Sequence, residues 1–391
     1  MESFRREDFE KLAQITNELC ISIHIPTHRK GMEVNENYDR TNFKNHLQTI
    51  RQHLESLGYQ SSYVEELLQP ALLLQDDTGF WREQLEGLAF FLCPQGRWSF
   101  RVPENLESLA LVSSKFELAP LAPLVSENHP FYIAGISQSN VSFYKADKYF
   151  IEPVNIRGKV PANIKEVYEY HEFDRTVGGK KVSNESNIHE GIGNIMYDSS
   201  QGYLDTDKYI PEFLRKIDAG IKAYLHNQDA PLVLVSNSSL FGLYQKVNSY
   251  NNLLSEGVDR QPEDLSMEEL HKRAYSIAKK ELEKPKKKAL QKFEAFAGTG
   301  KTSYDTKDIV ISAFAGRVES LFIPKDVHIW GRYNEEEQSI EIHNEYQTGD
   351  VCLVNLATIK TIENSGIVYS IKEEELQAKP EGSEIAAIYR Y

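Results

Sequence analysis

Short apolar runs alternate with amphipathic stretches along almost the whole chain. This restricts the fold more than any other feature of the sequence. Runs such as Gly87-Leu88-Ala89-Phe90-Phe91-Leu92-Cys93 and Leu232-Val233-Leu234-Val235-Ser236 are too short for helices and too apolar for loops, so they read as buried strands. Between them, apolar residues recur at helical spacing. Phe43, Leu47, Ile50 and Leu54 mark a helix over 39–57, and Ile210, Leu214, Ile217, Ile221 and Leu225 mark another. Leu270, Ala274, Ile277, Leu282 and Leu290 mark a long helix over 266–296, which Pro285 should kink or split. Strands interleaved with helices pack as layers of helix on sheet, so the chain reads as α/β, of the mixed α+β kind.

At 391 residues the chain exceeds one ordinary core, and three domains are expected. The first, 1–125, has a helix over 7–19, a strand Cys20–Pro26, helices over 39–57 and 61–74, and a hairpin of 87–93 with 98–102. It ends at the Pro-punctuated connector Leu118–Leu124. The second, 126–296, opens with a three-strand meander through Phe131–Ile136, Val141–Tyr144 and Tyr149–Val154. The third, 297–391, alternates a helix over 308–315, a strand over 318–323, a helix over 351–362 and strands over 366–370 and 385–390, an α/β sandwich.

The formal charge is −14, from 44 Lys and Arg against 58 Asp and Glu. That balance argues against non-specific coating of duplex DNA, which needs clustered cations, but leaves a local basic patch free to meet RNA. No apolar run is long enough for a membrane span, and the first residues lack the apolar stretch of a secretory signal. Cys20, Cys93 and Cys352 are far apart and form no CxxC pair, which fits a reducing cytoplasm.

Short motifs give little chemistry. Gly298-Thr299-Gly300-Lys301-Thr302 ends like a phosphate-binding loop, but Ala295 stands where a glycine is required and a helix precedes it, so a linker is expected. His189-Glu190-Gly191-Ile192-Gly193 begins like a zinc-protease motif and lacks the second histidine, so no metal and no cofactor are expected.

Residues 171–204 stand apart. They are rich in Gly, Ser and Asn with little apolar periodicity, a long loop of the kind that is either functional or without a partner. Arg175, Gly178, Gly179, Lys180 and Lys181 pair glycines with cations, and His189, Gly191, Gly193 and Asn194 follow. Glycines let a backbone approach a partner closely, and N–H groups with nearby lysines bind phosphate oxygens. A second basic patch contains Lys286, Lys287 and Lys288, interleaved with acids as on an exposed salt-paired helix.

The order of elements resembles a known family. The series comprises Ile21 to Arg29, Phe80-Trp81 with Gly87 to Phe91, the meander from Phe131, Leu232 to Ser236, Gly316-Arg317-Val318-Glu319-Ser320-Leu321-Phe322 and Ile385 to Tyr391. It is similar, over nearly the whole chain, to the bacterial relatives of the archaeal and eukaryotic class 1 release factors and Pelota. The resemblance implies a divergent N-terminal domain, a central domain with a Gly-rich loop before a long helix, and a C-terminal domain similar to kink-turn-binding ribosomal proteins. It implies a cytoplasmic factor that occupies the ribosomal A site like a tRNA, in rescue or hibernation. Its partners would be rRNA and, in some members, a tRNA or a translational GTPase, with neither membrane nor DNA involved.

In release factors a Gly-Gly-Gln loop helps water attack the peptidyl-tRNA ester. Here Lys180 follows Gly178-Gly179, and His189 to Asn194 also lacks Gln. A lysine cannot orient water with the geometry of that glutamine, so the reading is ribosome binding without ester hydrolysis. The alternatives are a peptidyl-tRNA hydrolase with a variant loop, and a structured-RNA-binding module.

Overall fold

A computed structural model describes residues 4–169, 206–325, 327–376, 380 and 382–391. It is mixed α/β, with four sheets among the described residues. Met1–Asn128 together with Pro285–Tyr391 form one compact unit, and His129–Lys284 form a second.

In the first unit, β1 (Cys20–Pro26), β2 (Gly87–Cys93), β3 (Gly96–Val102) and β4 (Leu109–Ser113) make an antiparallel sheet of order β3-β2-β1-β4. Side chains alternate along β1. Ile21, Ile23 and Ile25 enter a core shared with the helices Tyr38–Ser56 and Ser61–Asp76, through Phe43, Leu47, Ile50, Leu67, Leu68 and others. Ser22 and His24 therefore face the other side, and both are buried.

The second unit is a three-layer sandwich. Its strands are β5 (Phe131–Ile136), β6 (Val141–Ala146), β7 (Ile151–Pro153), β8 (Leu232–Ser236) and β9 (Val258–Asp259), in the order β7-β6-β5-β8-β9. The β5–β8 and β8–β9 pairs are parallel. One face packs on the helices Ile210–Tyr224 and Ser238–Val247 and on Ile164 and Val167. The other face packs Phe131, Ile133, Val233 and Val235 on Leu270, Ala274 and Ala278 of the helix Met267–Leu282. Ser266 caps that helix in a reciprocal box with Glu269. The helix stops at Leu282, and a second helix, Lys284–Ala295, begins beside Pro285, the split that proline demands.

The rest of the first unit contains β10 (Thr302–Ser303), β11 (Val318–Pro324), β12 (Trp330–Asn334), β13 (Ser339–His343), β14 (Val351–Cys352), β15 (Ile367–Ile371) and β16 (Ala386–Tyr389). The larger sheet runs β10-β16-β11-β15, with β11 and β15 parallel. Phe293 of Lys284–Ala295 covers one of its faces, with Phe322, Tyr369 and Ile388 in the same core. The small antiparallel sheet β13-β12-β14 was not anticipated from sequence.

Buried polar contacts run through this unit, and those of Asn355 join its two terminal segments. Asn355, on the helix Leu353–Glu363, accepts from the backbone N–H of Leu118 at 2.8 Å and of Ala119 at 3.0 Å, and its Nδ2 donates to Phe116 O at 2.8 Å. The carboxylate of Asp350 is enclosed, receiving the Gln347 N–H at 2.9 Å and the His343 ring at 2.8 Å. The Ser22 hydroxyl accepts from Glu117 N at 2.9 Å. The expected boundary near 125 is thus a place where chain segments meet, and residues 1–128 share a unit with 285–391.

Candidate nucleic-acid interface

The Gly-rich segment is mounted between two short helical pieces of the second unit. Asn163 caps the turn over 164–169, its Oδ1 accepting from Lys165 N at 3.0 Å and Glu166 N at 3.3 Å. Ile164 and Val167 of this turn point into the core. The chain resumes in the short helix Thr206–Tyr209 and continues into Ile210–Tyr224, where Pro211 occupies the first turn without losing a needed N–H. Ile210, Phe213, Leu214, Ile217 and Ile221 form the buried stripe. Gly220 lets this helix sit tightly on the preceding turn: a Cβ there would lie 2.3 Å from Val160 Cγ1 and 2.5 Å from Lys159 O.

The two ends meet. The rings of Tyr168 and Tyr209 make an edge contact with centroids 5.7 Å apart. The described residues on either side of 170–205 therefore come together. At this contact Lys208 lies over the Tyr209 ring at 5.1 Å, and at the far end of the helix Lys159 lies over the Tyr224 ring at 5.7 Å. Lys208, Arg215 and Lys222 are exposed and spaced by seven residues, which is two helical turns, so Arg215 and Lys222 share one solvent-facing stripe. Among the described residues none of the three has an ion pair.

Of the residues expected at the site, Arg175, Gly178, Gly179, Lys180, Lys181, His189, Gly191, Gly193 and Asn194 lie outside the described residues. The three lysines are in the other unit and differ among themselves. Lys286 is largely enclosed: its Nζ donates to Ser370 O at 2.7 Å and pairs with Glu375 at 3.0 Å, holding its helix to the end of β15. Lys287 and Lys288 are exposed on the helix Lys284–Ala295. Lys292, farther along, is paired with both oxygens of Glu319 at 2.6 and 2.7 Å.

The Gly298–Thr302 motif is a helix-ending turn inside the first unit. Gly298 and Gly300 have φ of 75° and 78°, and the Thr299 hydroxyl and N–H both donate to Phe296 O. The passage between units falls at Lys284–Pro285 instead. Among the described residues no group of His, Cys, Asp and Glu is arranged to hold a metal. No helix among them is long and apolar enough to cross a membrane.

Sequence reasoning missed the Tyr168–Tyr209 base and the Lys208–Arg215–Lys222 spacing. The spacing was visible in the sequence as cations every seven residues; the ring contact joins residues far apart in the chain and leaves no local pattern.

With this layout in view, the middle of the chain is similar to a bacterial family related to the archaeo-eukaryotic release factors. More narrowly, residues 130–317 match bacterial archaeo-eukaryotic release factor family 3, a span that takes in the three-layer unit and the Gly-rich segment. Similar solved structures include the archaeal translation termination factor aRF1, 14% identical over 100% of this chain and 99% of that one, TM-score 0.24. Archaeoglobus fulgidus Pelota is 9% identical over 98% and 92%, TM-score 0.33. Dom34 of S. cerevisiae, a termination-like factor that interacts with Hbs1, is 12% identical over 77% and 73%, TM-score 0.33. No curated protein matches the chain.

Proposed function

We propose that this protein is a ribosome-binding translation factor that enters the A site like a tRNA and acts in rescue or hibernation without hydrolysing the peptidyl-tRNA ester. The observation that carries the reading is the Tyr168–Tyr209 contact, which brings together the described residues flanking the Gly- and Lys-bearing stretch, just ahead of an amphipathic helix. Arg175, Lys180 and Lys181 would meet rRNA phosphates, and Gly178, Gly179, Gly191 and Gly193 would let the backbone come close. His189 and Asn194 supply hydrogen-bonding groups along the same segment. The exposed Lys208–Arg215–Lys222 stripe extends the cationic surface from its base. The match to a release-factor family over residues 130–317 supports the same assignment. A translational GTPase or a tRNA is the natural co-partner, and the cytoplasm the natural location.

Hydrolysis is set aside because the residue after Gly178-Gly179 is Lys180, whose ammonium carries a hydration shell and offers no amide to orient water. A free-RNA module acting through the 286–288 lysines is less favoured, since Lys286 is spent on Ser370 and Glu375.

The test is cosedimentation of purified protein with 70S ribosomes at moderate salt, alongside peptide release from peptidyl-tRNA-loaded ribosomes. The expected result is pelleting with the ribosome, weakened by K180E/K181E, and no released peptide. Absence from the ribosome pellet would overturn the proposal. Peptide release lost in Gly178→Ala/Gly179→Ala would replace it with the hydrolase reading.

A further inference from the structure

The strand β13 lies at the edge of the small sheet β13-β12-β14 in the first unit and pairs with β12 alone. On its open side, alternate residues turn their backbone N–H and C=O groups away from any ladder partner. Side chains alternate as well. Ile340, opposite Tyr333, is 8% exposed, whereas Ile342, two residues on along the same face, is 41% exposed. The apolar face of the sheet thus ends in an uncovered side chain at an unpaired edge.

The charge on this hairpin is one-sided. Glu335, Glu336 and Glu337 lie in the turn that joins β12 to β13, Glu341 lies in the strand, and Glu345 follows it. All five are exposed, and among the described residues none of them has an ion pair. The basic side chains nearby in the chain, Arg332 and His343, are both committed to the enclosed Asp350, at 3.3 and 2.8 Å. Arg332 also donates to Thr348 O at 2.8 Å. A second copy of the chain docked on this edge would bring its own glutamates against these, which like charges oppose. An RNA strand would meet the same uncompensated carboxylates. An extended cationic peptide gains from the unpaired backbone groups and from the charge together.

We propose that β13 binds an extended, lysine- or arginine-rich segment of a partner protein as an added strand. The partner's backbone continues the ladder beyond β13. One of its apolar side chains covers Ile342, and cations on its other face meet Glu341. Cations at its ends meet Glu345 and the glutamates of the turn. The contact is independent of the Gly-rich segment and needs no ribosome.

The probe is a fluorescein-labelled peptide of four Lys-Val repeats, titrated into the full chain and followed by anisotropy, with amide hydrogen exchange read by mass spectrometry. Two further peptides carry N-methyl groups, one on every valine nitrogen and one on every lysine nitrogen. Alternate nitrogens point to opposite sides of a strand, so in one of the two the methyls face β13. The expected result is saturable binding, about tenfold weaker for one methylated peptide, the loss of one or two net hydrogen bonds. Exchange within 339–343 should slow. Glu341→Lys/Glu345→Lys should bind about fivefold more weakly, as for two screened surface pairs, while reversal of the exposed acids Asp264 and Glu268 in the second unit should leave binding nearly unchanged. No saturable binding would mean that the glutamates only keep copies apart, and would overturn the proposal. So would equal binding of all three peptides, equal losses in the two reversals, or unchanged exchange at 339–343. Self-association of the free chain that protects the same amides would hand the edge to a second copy, and displacement of the peptide by oligouridylate would hand it to RNA; either also overturns it. The peptide arms use the wild-type chain, so they decide the matter even where a variant fails to fold.

Discussion

Replacing Glu117 by Gln should change the shape of the first unit's stability against pH, not only its level. Burial raises the Glu117 carboxyl from 4.5 to about 8, against a smaller lowering by the Cys352 thiol. Between those values the folded chain holds a proton that the unfolded chain has released, so stability falls as pH rises, by about 1.4 kcal/mol per unit. His24 does the reverse. Burial, with His328 nearby, lowers it from 6.5 to about 3, so the unfolded chain takes up a proton in that range and stability rises with pH up to 6.5. The two slopes oppose and cancel between 4.5 and 6.5. Above 6.5 only the Glu117 slope remains, until about 8, a loss of about 2 kcal/mol. Urea unfolding read by tryptophan fluorescence isolates this unit, because Trp81, Trp98 and Trp330 all lie in it. The wild type should lose stability from pH 6.5 to 8, and Glu117→Gln should be flat there, with an unopposed gain as pH rises toward 6.5. Parallel curves for the two proteins would mean that Glu117 titrates alike folded and unfolded, and the burial argument would fail.

Asn355→Ala strips partners from two backbone N–H groups and one carbonyl in the buried seam. At about 1–3 kcal/mol each, the same fluorescence assay should show a loss of about 3 kcal/mol or more, and a loss under about 1 kcal/mol would contradict the seam's role. Tyr209→Ala opens the base of the Gly-rich segment: protease cleavage within 170–205 should quicken and ribosome pelleting should weaken, while unchanged behaviour in both would remove Tyr209 from the positioning role. Lys288→Glu should weaken RNA or ribosome binding while moving stability by no more than about 0.5 kcal/mol, the range of ordinary surface changes. Lys286→Glu should instead destabilise, since it puts an acid against Glu375 and Ser370 O; the opposite ranking of the pair would refute the division of labour read from their contacts.

Where local physics dominates, the fold was legible. The strand Cys20–Pro26 was readable to the residue, because β-branched isoleucines alternate with small polar groups and proline closes the run. The break at Pro285 follows from the missing N–H alone. Tertiary contacts set the misses. The first helix was read to residue 19 but ends at Ala13, because Asn17 N bonds Ser114 O and Asn17 Oδ1 receives Leu19 N, drawing the chain back to the end of β4. The hairpin β12–β13 escaped notice because only Ile340 of Ser339–His343 is well buried, too little apolar signal to mark a strand. Glu117 did leave a trace, an acid inside the run Phe116-Glu117-Leu118-Ala119, but nothing local says that it lacks a cation.

The charge of −14 shows why the interface was the hardest part to read. Net charge counts lysines without asking where they are spent. Arg29 is paired with Glu86, Arg40 with Asp76, Lys292 with Glu319 and Lys325 with Glu104. Each such pair removes a cation from the field a polyanion would meet, at little gain in stability when exposed. What remains for RNA is a matter of geometry. The lysine-rich run at 279–292, the densest in the sequence, is largely consumed: Lys279, Lys284, Lys286 and Lys292 all hold acids. The sparse series Lys208, Arg215 and Lys222, unremarkable by count, starts just before the helix Ile210–Tyr224 and continues along its exposed side. A binding surface on an acidic protein is therefore to be sought where cations lack carboxylates within reach, and here that criterion points to the second unit. Reversing Arg215 and Lys222 to Glu should weaken ribosome pelleting more than reversing Lys284 and Lys292; equal effects would show that bulk charge, and not unpaired placement, governs the contact.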